Sequence, residues 1–133
     1  MIDFDLVKHI FINNFIFTNM SFSKIQLLGN IGNDAIISEI KGKFVIKFSV
    51  AINTKSVDKY GEQTESVIWW NCSYWRSSKD KCNLAQYIKK GDSIYCEGIP
   101  VIGMYLDKEE EVILSLNAFI SSIELIGSKK KEQ

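Results

Sequence analysis

From Ser23 onward, apolar and polar residues alternate in short runs separated by turn-forming residues, which predicts β-strands with one buried face. The clearest run covers residues 44–52, where every second residue from Phe44 is large and apolar, while Lys47 and Ser49 fall on the opposite face. Strands are predicted over residues 24–28, 44–52, 66–75, 92–97, 101–106 and 112–116, with a last apolar piece at 121–126. The chain therefore reads as all-β apart from one segment.

That segment is residues 78–90, whose period is helical, with Leu84, Tyr87 and Ile88 on its apolar face and Gly91 as its stop. Turn-forming residues predict hairpin loops at 54–63 and 107–110 and a break at Gly98 and Pro100. A five-stranded barrel with one short α-helix between strands 3 and 4 is the order typical of an OB-fold.

The first 20 residues differ from the rest of the chain. Their apolar run at residues 10–17 is interrupted by Asn13 and Asn14 and is too short to span a bilayer. The segment has neither the basic start nor the small-residue cleavage site that a signal peptide would show. We interpret the segment as an added helix, an edge strand, or residues translated upstream of a start at Met20. The predicted organisation is an extension at 1–20, a domain at 21–126 and a short basic tail at 127–133.

Charge restricts how the domain could bind a polyanion. Lys plus Arg and Asp plus Glu both number 16, so the net charge is zero, which argues against a protein that holds nucleic acid by bulk charge. A local basic groove combined with base stacking remains open. Because Arg76 is the one arginine, we do not expect base edges to be read by arginine forks.

The residues needed for metal or nucleophilic chemistry are scarce. Cys72, Cys82 and Cys96 lack CxxC spacing, so we expect small apolar residues in a reducing cytosol rather than disulfides or a zinc site. His9 is the one histidine, which excludes a His-based triad or a multi-His site. The acidic run at 109–111 is interpreted as solvated charge on a hairpin tip. We expect no enzyme activity, no metal and no cofactor.

The predicted strand at 66–75 contains the candidate chemistry. Alternation places Trp69, Asn71, Ser73 and Trp75 on one face and Ile68, Trp70, Cys72 and Tyr74 on the other. A buried face would rarely accept Asn and Ser between two indoles, so we expect the first face to point outward and to stack on bases. The alternative is that both rings pack against the loop at 54–63 or against another subunit.

Cations and tyrosines near this strand complete the predicted site. Four are candidates for phosphate contacts: Lys47 on the neighbouring strand, Lys55 and Lys59 in the loop, and Arg76 directly after Trp75. Tyr60 at the loop tip and Tyr105 on the fifth strand are candidates for further stacking platforms.

Four blocks, in this order, resemble the bacterial and mitochondrial single-stranded DNA-binding proteins. They are the turn Gly29-Asn30-Ile31-Gly32-Asn33-Asp34, the strand Phe48-Ser49-Val50-Ala51-Ile52-Asn53, Trp69-Trp70-Asn71-Cys72, and Leu84-Ala85-Gln86-Tyr87-Ile88-Lys89-Lys90-Gly91-Asp92 with Tyr95-Cys96-Glu97-Gly98. Each block alone is a weak signal, but their order and spacing over residues 20–126 are specific.

The resemblance implies an OB-fold that assembles as a homotetramer and wraps single-stranded DNA. It implies that Trp69, Trp75 and Tyr105 stand at DNA-stacking positions, and that Trp70 replaces a histidine near the subunit contact. Ser56 falls near a further stacking tryptophan, so that platform is missing unless Tyr60 substitutes for it.

Three departures imply weaker binding than is usual in that family. Asn30 stands where a cation is common, Val101-Ile102-Gly103 replaces a basic stretch, and the chain ends Lys-Lys-Lys-Glu-Gln rather than in an acidic, apolar tip. Recruitment of replication and repair enzymes through such a tip is therefore not expected.

The leading hypothesis is a non-catalytic, cytoplasmic and nucleoid-associated protein that binds single-stranded DNA without reading its sequence, in replication, recombination or repair. The alternative is a primosome-type OB-fold adaptor, which would be dimeric and bind DNA weakly. A third possibility is a structural subunit that has lost DNA binding. No membrane association is expected.

Overall fold

The computed structural model describes residues 21–127. In chain order its elements are β1 (Ile25–Ile31), β2 (Ile36–Ile40), β3 (Lys43–Val57), β4 (Gln63–Arg76), a 3₁₀ helix (Lys79–Tyr87), β5 (Ser93–Leu106) and β6 (Val112–Gly127). The predicted extension at 1–20, with His9, and residues 128–133 of the predicted tail lie outside the described residues. The helix in the described range is not long and apolar enough to cross a membrane.

The sheet closes on itself. Neighbouring strands follow the order β1–β5–β6–β4–β3, and β1 then pairs with β3 where Asn30 and Ile31 lie opposite Ala51 and Val50. β2 pairs with β3 outside this closed set of five. The prediction of an all-β, five-stranded OB-fold barrel is confirmed. The helix follows the third barrel strand, as predicted, although β2 itself was not predicted.

The barrel core follows from the period of two along each strand. Ile46, Phe48 and Val50 of β3 point inward and are at most 3% exposed. Inward residues of the other barrel strands complete this cluster: Leu27, Ile31, Cys72, Ile94, Cys96, Ala118 and Ile120. All three cysteines are buried, as expected of small apolar residues. Interaction with the Cys96 thiol and burial raise the pKa of the Cys72 thiol, so it stays protonated at neutral pH.

The helix is shorter and tighter than predicted. It has three residues per turn, so Cys82, Ala85 and the following Ile88 line one side and are buried. Tyr87 was predicted on the apolar face, but this is wrong, because its side chain is 60% exposed. The difference arises from the period, since the prediction assumed 3.6 residues per turn.

The two hairpins extend further from the barrel than predicted and end in the same turn. β3 and β4 continue through most of the predicted loop at 54–63. Asp58 and Asp107 each accept hydrogen bonds through Oδ1 from the backbone N–H groups two and four residues later. The fourth residue of each turn is left-handed, with φ of 81° at Gly61 and 63° at Glu110.

The predicted break at Gly98 and Pro100 is wrong, because β5 runs without interruption from Ser93 to Leu106. A bulge between Glu97 and Gly98 bends the strand instead. Gly98 packs directly on β6, and a Cβ there would lie 2.2 Å from the backbone oxygen of Phe119. This glycine therefore permits the bend that closes the barrel.

Replacing Gly98 with Ala should destabilise the protein by at least about 2 kcal/mol, because backbone atoms of β6 cannot move away cheaply. Gly103→Ala is the matched control on the same strand, because a Cβ at that position would meet no other atom within 4 Å. It should change the free energy of unfolding by less than about 0.5 kcal/mol. Urea unfolding measures both, and equal stability of the two variants would contradict this account of closure.

Candidate nucleic-acid interface

The outer surface of β3 and β4 presents two indole rings. Trp69 is 52% exposed and Trp75 is 41% exposed, whereas Trp70 and Tyr74 pack against the barrel core. The predicted division of β4 into two faces is therefore confirmed. We call this side of the two strands the tryptophan face and define it by Lys43, Val45, Lys47, Ser49 and Ala51 of β3 with Trp69, Asn71, Ser73 and Trp75 of β4. Val45 and Ala51 are buried on this face.

Trp69 rests on the turn that follows β1. A Cβ at Gly32 would lie 2.2 Å from Cζ3 of Trp69, so the indole covers the bare backbone of this glycine. The next residue fixes the turn against β3, because Oδ1 of Asn33 accepts hydrogen bonds from the backbone N–H and the hydroxyl of Ser49. The ring is thus supported from beneath while its other side faces solvent.

Two lysines flank Trp75. Trp75 pairs with Val45 of β3. Lys43 and Lys47 lie two residues before and after Val45, so their side chains are on the same face of the strand. Lys47 was predicted from the sequence. Lys43 was missed, although extending the same alternation by one step would have found it. Both are exposed, and no ion pair is formed by either within the described part of the chain.

The remaining predicted cations are less well placed. Lys55 shares the tryptophan face but lies on the β3–β4 hairpin, where its ammonium group is 3.8 Å from Glu65. Lys59 lies 5.2 Å from the centre of the Tyr60 ring at the hairpin tip. Arg76 points to the other face of β4, where its guanidinium group stacks on Tyr74 at 4.7 Å. The structure therefore does not bring Arg76 together with Trp69 and Trp75.

Both predicted tyrosines are exposed, Tyr60 to 78% and Tyr105 to 57%. Tyr105 continues the side of the sheet that carries Trp69. Asn71, on the same face of β4 as Trp69, pairs with Asn117 of β6, and Asn117 pairs with Val101 of β5. Tyr105 is four residues after Val101 on the same strand, so it shares this face. Asn117 was not predicted. Its position beside Asn71 results from the β4–β6 pairing, for which the sequence contains no local signal.

Comparison with known proteins agrees with this architecture. The model of the single-strand binding protein family matches residues 22–126. The chain belongs to the single-strand binding protein family. A mitochondrial single-stranded DNA-binding protein of Oryctolagus cuniculus is 29% identical over 120 residues, covering 85% of this chain and 80% of the relative.

Solved structures of this family share the fold. A Plasmodium falciparum single-stranded DNA-binding protein, in complex with single-stranded DNA, superposes with a TM-score of 0.65 at 19% identity. The match covers 84% of this chain and all of that one. A small single-stranded DNA-binding protein of Streptomyces coelicolor gives 0.63 at 15% identity, covering 80% and 95%.

In this member of the single-strand binding protein family, the strongly shifted carboxyl group is that of Glu97 on β5, which lies outside the tryptophan face. Hydrogen bonds from Lys24, Tyr95 and Gln26 hold the pKa of Glu97 at about 2. The same contact with Glu97 raises the pKa of Lys24. Any stability that Glu97 contributes is therefore present above its ordinary pKa of 4.5 and lost as the pH falls toward 2.

Two further predicted features lie away from the indoles. Trp70 is half-buried against the barrel core, and its role at a subunit contact stays a prediction.

At the β5–β6 hairpin tip, carboxylate oxygens of Asp107, Glu109 and Glu111 lie within 4.8 Å of one another. The Asp107 carboxylate accepts the hydrogen bonds that build the turn, whereas Glu109 and Glu111 are exposed.

Replacing Gly32 with Ala should displace the indole of Trp69, because the new methyl group and Cζ3 would occupy the same space. The Nε1–H resonance of Trp69 in a ¹H–¹⁵N spectrum should shift, while that of Trp75 stays in place. Gly103→Ala again serves as the control. An unchanged Trp69 resonance in folded Gly32→Ala would show that the ring does not rest on this turn.

Proposed function

We propose that this protein binds single-stranded DNA without reading its sequence, by stacking bases on Trp69 and Trp75 and by contacting phosphates with neighbouring lysines. It acts without catalysis, in replication, recombination or repair. The observation that carries this proposal is the exposure of two indoles on one face of β4, while the other aromatic residues of that strand pack inward.

An exposed indole supported from below, as Trp69 is by Gly32, is suited to stacking, because an unstacked base can cover the free side of the ring. Stacking tolerates every base, since all four have a π-face, and it contributes roughly 1–3 kcal/mol per base. Asn71 and Ser73, between the two rings, offer hydrogen-bonding groups to sugar and phosphate oxygens. The combination favours affinity over sequence readout.

Lysines supply the electrostatic part of the proposed binding. Lys43 and Lys47 stand on either side of the Val45–Trp75 pair and meet no carboxylate among the described residues. We expect Lys55 to contribute less, because the carboxylate of Glu65, 3.8 Å from its ammonium group, lowers the local positive charge. Arg76 is stacked on Tyr74, which supports the expectation that no base edges are read by an arginine fork.

Family membership supports the proposed ligand, because the matched relatives are single-stranded DNA-binding proteins. We further propose that residues 21–126 are the DNA-binding domain, that Tyr105 and Tyr60 extend the stacking surface with Lys59 beside Tyr60, and that the chain assembles as a homotetramer with Trp70 near the subunit contact. Mass in solution near four chains supports the tetramer, and two chains would favour the dimeric adaptor.

The test is binding of a fluorescein-labelled oligothymidylate, followed by anisotropy. Trp69→Ala and Trp75→Ala should each raise Kd by about 5- to 150-fold, which corresponds to the roughly 1–3 kcal/mol of a lost stacking contact. Ile68→Ala is the matched control, because Ile68 is 40% exposed on the same strand but belongs to the other face. It should bind like the unsubstituted protein.

Salt provides an independent check on the lysines. The affinity should fall as salt rises, and Lys47→Gln should reduce the slope of log K against log salt by about 0.7, the value for one lost phosphate contact on a single strand. Lys81→Gln, on the 3₁₀ helix, should leave the slope unchanged. Equal losses for Trp69→Ala and Ile68→Ala in folded proteins would contradict the proposed binding face.

A further inference from the structure

The β5–β6 hairpin has an exposed apolar side that the tryptophan face does not use. Cross-strand pairing puts six apolar residues on this side, opposite to Tyr105. We call it the apolar arm face and define it by Ile102, Met104, Leu106, Val112, Leu114 and Leu116. Five of the six are between 62% and 73% exposed, and Leu116 is half-buried.

This part of the hairpin is a two-stranded ribbon. β1 pairs with β5 only over Ser93–Gly98, and β4 pairs with β6 only at Asn117, Ala118 and Phe119. Within residues 21–127, nothing else pairs with the outer half of either strand. A two-stranded ribbon is marginally stable in water unless its apolar side packs on something.

The β3–β4 hairpin shows what the same side is like when it needs no partner. There the corresponding positions carry hydroxyl groups that bond to each other across the ribbon. The hydroxyl oxygens of Thr54 and Ser66 are 2.6 Å apart, and those of Ser56 and Thr64 are 2.7 Å apart. The two hairpins share a turn but differ in this side, so the apolar arm face is a distinct property of β5–β6.

β1 begins at the base of this arm. Ile25, the first residue of β1, lies opposite Gly98, where β5 leaves the barrel, and the two strands are antiparallel. Extended backward from Ile25, the direction of β1 therefore runs along β5 toward the arm tip. Residues 10–17 contain six large apolar residues, and at about 3.3 Å per residue the intervening chain is long enough to reach any part of the arm.

We propose that residues 10–17 dock on the apolar arm face of the same chain. Both surfaces are apolar, and their contact removes both from water. Docking covers the side opposite Tyr105, so it leaves the proposed DNA surface open and does not depend on the proposed function.

A tethered segment fits this surface better than a second copy does. Six residues fall well short of the roughly 20–30 residues per side of a stable protein–protein interface. A segment joined to β1 by a few residues has an effective concentration in the millimolar range, so a small apolar contact is sufficient.

Photo-crosslinking in the full chain tests the occupant. With p-benzoylphenylalanine in place of Met104, illumination should join residue 104 to the peptide containing residues 10–17. With the same group in place of Tyr105, on the other side of the arm, this product should be absent. In a mixture of unlabelled and ¹⁵N-labelled chains the product should contain one isotope only. Mixed products, or equal yields from both positions, would overturn the proposal.

Hydrogen exchange of the full chain provides the second measurement. Phe15→Ser combined with Phe17→Ser should raise exchange of the amides at 102–106 and 112–116 by at least about fivefold, because the ribbon loses its cover. Asn13→Ser combined with Asn14→Ser should leave exchange unchanged. Oligothymidylate affinity should be the same in both variants. Arm exchange that does not respond to the phenylalanine substitutions would also overturn the proposal.

Discussion

The orientation of β4 depends on the inward position of Cys72. Its side chain lies in the core, where Cys72 pairs with Phe48 of β3 on one side and Ala118 of β6 on the other. Because strand side chains alternate, this placement forces the residues before and after it outward. A slip of one residue would bury Trp69 and Trp75 and expose Trp70 and Tyr74. The chemical character of the outer surface is therefore set by packing inside the barrel.

Close backbone approaches transmit this packing to the surface. Gly29 lets β1 cross β3, since a Cβ there would lie 2.3 Å from the carbonyl oxygen of Ala51. Gly32, three residues later, receives the ring of Trp69. On β5, the strand paired with β1, Gly98 lets the chain bend over β6. Gly29 and Gly98 thus allow the barrel strands to pack closely, while Gly32 determines where an indole can rest. Close backbone approaches therefore shape both the fold and the candidate binding surface.

Alternation along the strands predicted most of the barrel, because an inward face must be apolar wherever a strand is half-buried. It predicted the two faces of β4 and the burial of Phe48 and Val50. It could not predict β2, whose residues Ile36, Ile37 and Ile40 show no regular alternation and are all exposed. It also misjudged Gly98 and Pro100, since a bulge inside a strand contains the same residue types as a turn between strands.

For the candidate site too, strand alternation predicted some positions and not others. Those that alternate with core residues on one strand, such as Trp69 and Lys47, could be assigned to a face. Arg76 could not, because proximity to Trp75 in sequence suggested a shared surface, while the strand turns the two side chains apart. The position of Asn117 beside Asn71 depends on a parallel pairing between strands distant in sequence. The left-handed conformation of Glu110 shows that the turn geometry there overrides the preference of the residue.

We propose that single-stranded DNA lies across the tryptophan face. The most direct test is a crystal structure of the protein bound to an oligothymidylate. We predict bases stacked on the exposed sides of Trp69 and Trp75, with phosphates near Lys43 and Lys47. An oligonucleotide that avoids β4, or that contacts the side of Tyr74 and Arg76 instead, would contradict it.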